Sequence, residues 1–351
     1  MNFPKKMQAA ILCELSKDLI VAEINLPEEL EIGQVLVKVH FSGICGTQLG
    51  EIDGVKGADN YLPHLLGHEG SGTVVAVGPG VKHVSPKDNV VLHWKKGAGI
   101  ESNPPSYTWS GKKINAGWVT TFNQYAVISE NRCTKIQNEC DLKIAALFGC
   151  AITTGFGVIE NNANVKIGES VVVYGAGGVG LSIVQAASLK NAYPIIAVDI
   201  HQSRIDLAKL MGATHIINSL EINAEQEIQK ITQNDGVDVF IDNTGKAAII
   251  EIGYRITKKD GRVILVGVPN YNEKININTL ALHFGKFIKG SHGGDCCPEK
   301  DIPRYYSLYQ NGKVQLNTLI SEIFDLTQIN DAIRKMRSGE IAGRCLIKMP
   351  D

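Results

Sequence analysis

Val171-Val172-Val173-Tyr174-Gly175-Ala176-Gly177-Gly178-Val179-Gly180 decides how the middle of this chain folds. The four apolar residues read as a buried strand, and the spacing over 179–189 reads as a helix. Between them Gly175, Gly177 and Gly180 form G-x-G-x-x-G in the strand–turn–helix context that this pattern requires. Gly175 permits a tight turn, Gly177 lets the backbone approach a pyrophosphate, and Gly180 permits close packing of helix on strand. Gly178 and Val179 open the helix, whose free N–H groups and positive dipole end would face the phosphates. Glycine-rich turns also arise for conformational reasons alone, so the pattern needs a companion acid roughly twenty residues further on.

Asp199 supplies it, at the end of the apolar stretch 195–199. A carboxylate there can accept from adenosine ribose hydroxyls and repels the 2′-phosphate of NADP, so NAD is the preferred dinucleotide. Arg204 either flanks the ribose or sits on a solvated helix face.

Outward from this motif the alternation continues. Helices are expected over 203–211, 225–233 and 247–256, with strands over 237–242 and 262–268, which implies a parallel sheet covered on both faces. The first third reads differently. Apolar stretches at 34–41, 72–77 and 88–94, punctuated by Gly78-Pro79-Gly80 and other turns, suggest a barrel-like or partly open β-domain. After about residue 290 the pattern changes again, to helices near 303–309 and 329–338 and a strand over 344–349. Such a tail could return to complete the first domain.

With 351 residues the chain holds two domains comfortably. A net charge of −1, with both signs interspersed, leaves no electrostatic footprint for nucleic acid or an anionic membrane. No stretch is long and apolar enough for a membrane span, and the first residues lack the core of a secretory signal. The eight cysteines include no C-x-x-C pair. We therefore expect a reduced, cytoplasmic protein whose cysteines are core residues, metal ligands or catalytic groups.

Three residues stand out as metal ligands: Cys45 in Gly43-Ile44-Cys45-Gly46-Thr47, His68 in Gly67-His68-Glu69-Gly70, and Cys150 in Gly149-Cys150-Ala151. Two thiolates and one imidazole leave a fourth position open, the pattern of a catalytic zinc site. A cysteine beside glycine also reads as a small buried residue, and the spacing leaves both readings open. The adjacent Cys296-Cys297 pair carries no role that the sequence assigns.

Taken together, in their order and spacing, these motifs resemble the zinc-dependent alcohol dehydrogenases of the medium-chain dehydrogenase/reductase superfamily. The resemblance runs on through 149–155, Val198-Asp199, Val266-Gly267-Val268 and Gly343-Arg344, and so covers nearly the whole chain. It implies an α/β protein: a GroES-like, β-rich catalytic domain from residues 1–152 completed by 293–351, and a Rossmann doubly wound parallel-sheet NAD-binding domain from 153–292. It also implies a homodimer or homotetramer. Carried over residue by residue, Cys45, His68 and Cys150 would hold the zinc, and Glu69 would sit behind it. Thr47 would share a hydrogen bond with the substrate hydroxyl, and Arg344 would reach the cofactor pyrophosphate. The chemistry implied is Lewis-acid activation of an alcohol or carbonyl oxygen with hydride passing to or from nicotinamide.

Three departures from the family pattern matter. Gln48 stands where many relatives carry an aspartate that bonds the zinc-ligating histidine; an amide strengthens that ligand less. Gly50 stands where some carry a relay histidine, which would leave Thr47, cofactor ribose and water as the proton path. The lobe over 95–117 has no cysteines for a structural zinc, so one zinc per chain is expected. His93 and Trp94 fall where relatives line the substrate pocket. With Lys95 and Lys96 following, they suggest a polar or anionic substrate, such as a polyol or a sugar derivative. The alternatives are a primary-alcohol dehydrogenase or aldehyde reductase with an apolar pocket, and an NAD-binding protein without turnover.

Overall fold

The computed structural model describes residues 4–55, 57–137 and 139–351. It divides into two compact units: Met1–Cys150 with Cys297–Asn311 and Ile320–Asp351, and Ala151–Cys296 with Gly312–Leu319. The domain changes expected at 152/153 and 292/293 thus fall at 150/151 and 296/297. The short Gly312–Leu319 piece groups with the second unit, where Gln185 Nε2 donates to the Gln315 carbonyl at 3.3 Å.

The second unit is built on six parallel strands. Numbered by chain position within the unit, their order is 3-2-1-4-5-6: His215–Asn218, Ile195–Asp199, Val171–Tyr174, Val237–Asp242, Thr257–Leu265 and Phe287–Gly290. The strand order reverses beside Val171–Tyr174, and at such a switch point a crevice opens outside the carboxyl ends of the strands. Val171, Val172, Val173, Ile196, Val239 and Phe240 are all buried, as a sheet covered on both faces demands. The helices Gly178–Leu189, Gln202–Leu210, Ala224–Ile231 and Ala247–Ile256 alternate with these strands.

The first unit combines two β-structures. Five strands close a barrel: Lys6–Leu12, Ile20–Asn25, Ser106–Trp109, Lys112–Asn115 and His64–Leu65. A seven-stranded sheet has Glu69–Val77 and Arg344–Lys348 on either side of Gln34–Gly43, and Tyr125–Ser129 pairs with Gln34–Gly43 as well. The tail therefore does return to the first domain. Leu346 lies opposite Gly43 and Ile347 opposite Ser42, so Arg344 arrives beside the residues that follow Gly43.

One helix differs from its expected extent. It spans Pro298–Gln310 rather than starting at Pro303. Pro298 takes the first helical position, where its missing N–H costs nothing. Pro303 lies further in and withholds one intrahelical bond, which a sequence reading treats as a start signal. Among the described residues no single helix is long and apolar enough to cross a membrane.

Candidate metal centre and nucleotide turn

Cys45 leaves the strand Gln34–Gly43 and caps the short helix Gly46–Ile52. Gln48, at the third helical position, closes a capping box: its Oε1 accepts from the Cys45 N–H at 2.8 Å. The other end of the same amide, Nε2, contacts His68 Nδ1. Gln48 is 1% exposed, so this bridge between two candidate ligands is shielded from water.

His68 immediately precedes the strand Glu69–Val77, and the residue before it, Gly67, has φ 91°. A β-carbon on Gly67 would collide with the Thr121 hydroxyl, so glycine is required there on both counts. Cys150 follows the 3-10 turn Leu147–Gly149, which Gly149 lets settle directly against the Leu92 carbonyl. The outcome is that ligand atoms of Cys45, His68 and Cys150 all lie within 4.8 Å of one another. A tetrahedral zinc with sulfur and nitrogen ligands needs them roughly 3.5 Å apart. The three donors fit the ion with only a small inward adjustment.

Electrostatics favour the same occupant. A hydrogen bond from Cys150 holds the Cys45 thiol well below its ordinary range, overcoming burial, with His68 and Arg344 adding to the effect. The thiolate is the form that binds metal. Glu69 is 0% exposed and pairs with the Arg344 guanidinium, itself 4% exposed, so the two buried charges compensate each other. Arg344, expected at a cofactor pyrophosphate, thus has Glu69 as its partner here. The Thr47 hydroxyl lies 3.7 Å from Cys45 Sγ, beside the cluster.

The substrate-lining candidates divide. His93 is 1% exposed; its Nδ1 donates to the Lys95 carbonyl at 2.7 Å, and its Nε2 lies 2.9 Å from Thr134 Oγ1. Burial lowers its pKa to about 4, so the ring is neutral, with both nitrogens engaged. Trp94, the next residue, is half-buried, with the Lys95 ammonium 6.0 Å from its ring centroid. Lys96 pairs with Glu101 at 3.5 Å on the surface. Residues 106–115 of the neighbouring lobe form the barrel hairpin Ser106–Trp109 and Lys112–Asn115.

In the second unit the glycine turn shows three different needs for glycine. Gly175 has φ 94°, and a β-carbon on Gly180 would strike the Gly175 carbonyl. Gly177 has an ordinary φ of −72°, and a β-carbon there would meet nothing within 4 Å. Neither backbone nor packing demands glycine at 177, so the space its side chain leaves suits a close-fitting ligand. Gly178 and Val179 begin the helix that points its N-terminus here.

Asp199 is 6% exposed and already organises this turn. Its Oδ2 accepts from the Ala176 N–H at 2.7 Å, and its Oδ1 accepts from Ile200 and His201 N–H at 2.8 and 3.0 Å. A carboxylate has about four lone-pair sites, so one remains for a ribose hydroxyl. Arg204 Nη1 stands 4.0 Å away. Asn243, which sequence reading did not single out, lies against Gly175 and Gly180. The available signal was a lone amide following the apolar strand Val237–Asp242.

This fold, with a Cys-His-Cys cluster in one unit, defines a zinc-binding dehydrogenase. A family model for an alcohol dehydrogenase GroES-like domain matches residues 31–138, and one for a zinc-binding dehydrogenase matches 178–311. Alcohol dehydrogenase 6 of Peromyscus maniculatus is 32% identical, over 97% of this chain and 97% of that protein. The S-(hydroxymethyl)glutathione dehydrogenase of Paracoccus denitrificans is 30% identical, over 95% and 98%. Among solved structures, benzyl alcohol dehydrogenase from Acinetobacter calcoaceticus superposes with a TM-score of 0.89 at 32% identity, covering 99% of this chain and 100% of that one. The chain belongs to the zinc-dependent alcohol dehydrogenases of the medium-chain dehydrogenase/reductase superfamily, and is a zinc-dependent alcohol oxidoreductase.

Proposed function

We propose that this alcohol dehydrogenase uses NAD, holds one zinc per chain on Cys45, His68 and Cys150, and acts on primary alcohols with an apolar or aromatic body. The observation that carries the metal assignment is the clustering of those three donors. For the substrate, support comes from His93, on which the polyol expectation leaned: neither ring nitrogen is free to meet a hydroxyl. Lys96 is likewise paired, which leaves the Trp94 indole as the main candidate lining group. Asp199 supports NAD, because a 2′-phosphate would approach a carboxylate that already accepts from three backbone N–H groups.

When bound, zinc supplies Lewis acidity to an alcohol or carbonyl oxygen, and nicotinamide accepts or returns the hydride. The rest falls to this chain's residues. Thr47 accepts the hydrogen bond of the substrate hydroxyl and passes its proton outward. With glycine at position 50, water takes the proton from there. Gln48 bonds the Cys45 backbone and faces the His68 ring, while Arg344 pairs with Glu69. Gly177 leaves room for the pyrophosphate, and Asp199 holds both the turn and one ribose hydroxyl.

Self-association through the second unit is part of this reading. Phe287–Gly290 is an edge strand, and Leu280 and Phe284 just before it are exposed. A reducing, cytoplasmic setting belongs to the same reading, since it keeps Cys45 and Cys150 available as thiolate ligands.

The test is absorbance at 340 nm with NAD and a panel of benzylic alcohols, short aliphatic alcohols, polyols and sugar phosphates, with and without a zinc chelator. Chelator-sensitive turnover of benzylic alcohols well ahead of polyols is expected. A preference for polyols or sugar phosphates would overturn the substrate assignment.

A further inference from the structure

Asn243 is the first residue beyond Val237–Asp242, the strand that pairs with Val171–Tyr174 where the strand order reverses. Its position is held firmly. The Asn243 N–H donates to the Tyr174 carbonyl at 2.8 Å, and the Asp242 carboxylate braces the next turn. That carboxylate accepts from the Thr244 N–H at 2.9 Å, the Thr244 hydroxyl at 2.6 Å and the Gly245 N–H at 2.9 Å. The Asn243 β-carbon consequently lies 3.2 Å from where a side chain on Gly175 would begin. Its Nδ2 lies 3.5 Å from the same point on Gly180.

Both polar atoms of this amide are buried, and neither has a hydrogen-bond partner among the described residues. Other buried amides fall short by one atom only. Asn123, Asn131, Asn162 and Gln185 lack a partner for the carbonyl oxygen but use the NH2 group. A buried amide satisfied at neither end is destabilising, and an apolar side chain of equal size would serve packing better. Its cost is recovered only when something polar arrives, and the place it faces is the glycine turn.

We propose that Asn243 is a cofactor-binding residue whose amide hydrogen-bonds the pyrophosphate of the bound dinucleotide. It does so alongside the backbone N–H groups that open the helix Gly178–Leu189. The inference rests on reading that turn as the dinucleotide site. Because the Asn243 backbone is pinned, a turn of the side chain alone brings its buried polar atoms to the ligand.

The experiment pairs Asn243→Leu, which removes the polar atoms at similar volume, with Asn243→Asp, which brings negative charge toward the phosphates. NADH and NADPH dissociation constants are measured by fluorescence titration of the zinc-loaded enzyme, and thermal melting is recorded without cofactor. Asn243→Leu is expected to weaken binding about tenfold or more, the loss of a hydrogen bond to a charged group. Asn243→Asp should weaken it further. The cofactor-free melting temperature of Asn243→Leu should stay level or rise, since no bond is lost. Binding within twofold of wild type overturns the inference alone. A marked fall in the cofactor-free melting temperature of both variants identifies a structural amide and also overturns it. A wild type that binds neither dinucleotide overturns the inference together with the reading beneath it.

Discussion

Replacing Gln48 with glutamate should tighten zinc binding about tenfold. The amide faces two groups: the Cys45 N–H, bonded at 2.8 Å, and His68 Nδ1. An imidazole that presents Nε2 to a metal carries its proton on Nδ1, so both neighbours are then donors. One amide oxygen cannot serve two donors on opposite sides. Whichever way the amide is turned, a buried donor meets an NH2 group, at a cost of about 1–3 kcal/mol. Glutamate has the same length, keeps the capping box, and offers an oxygen to each donor. Recovering a hydrogen bond to a charged acceptor is worth about 1.5–3 kcal/mol. Burying a further carboxylate near two thiolates removes part of that, and about 1.4 kcal/mol, or tenfold, is the expected remainder. Changes in such supporting contacts typically move metal affinity by about 10–100-fold. The assay is competition for zinc against a chromophoric chelator, with the zinc release rate as a second readout. Equal or weaker zinc binding by Gln48→Glu would refute the argument that acceptor count limits this site.

Other outcomes follow from the same geometry. Gly177→Ala should leave cofactor-free stability nearly unchanged, since its β-carbon meets open space, yet weaken NADH binding in titration. Gly180→Ala should instead destabilise the fold itself by roughly 1–3 kcal/mol in chemical unfolding, because its β-carbon strikes the Gly175 carbonyl. Asp199→Ser should lower the ratio of NAD to NADP kcat/KM at least tenfold by releasing Arg204; an unchanged ratio would remove Asp199 from cofactor selection. His93 titrates near 4 when folded and near 6.5 when unfolded, so its contribution is complete above pH 6.5 and drains away as pH falls toward 4. That amounts to about 3 kcal/mol across the window, and urea unfolding of His93→Gln should show a flatter pH slope than wild type. Metal analysis should return one zinc per chain, and Cys150→Ser should lose most of it; two zincs per chain would contradict the single-site assignment.

Legibility varied with how local the determining physics is. The turn at Gly175–Gly180 could be read directly, since a strand, three glycines and a helix follow one another in sequence. The barrel hairpin Ser106–Trp109 and Lys112–Asn115 was not anticipated. Its neighbourhood carries prolines and charge in place of clean alternation, and its partners come from residues 20–25 and 64–65. His93 illustrates a narrower limit. Alternation over 88–94 says that successive residues face opposite sides, yet it does not say which side meets the core. In the structure His93 turns inward and Trp94 remains half-exposed. The Cys45–His68–Cys150 set was recognisable from its family pattern, whereas the two contacts of the Gln48 amide and the unpaired amide of Asn243 depend on distances between remote segments.

The pairing of Arg344–Lys348 with Gln34–Gly43 has a consequence in time. A ribosome delivers these two strands about three hundred residues apart, whereas residues 151–296 of the second unit emerge as one continuous stretch. Most of the second unit can therefore collapse on the nascent chain while the first waits with an open sheet edge. Cys45, His68 and Cys150 are all translated long before Arg344 arrives to offset Glu69. The ion pair between Arg344 and Glu69 is therefore among the last contacts that the chain can make. Completion of that sheet is a late event in the birth of the molecule.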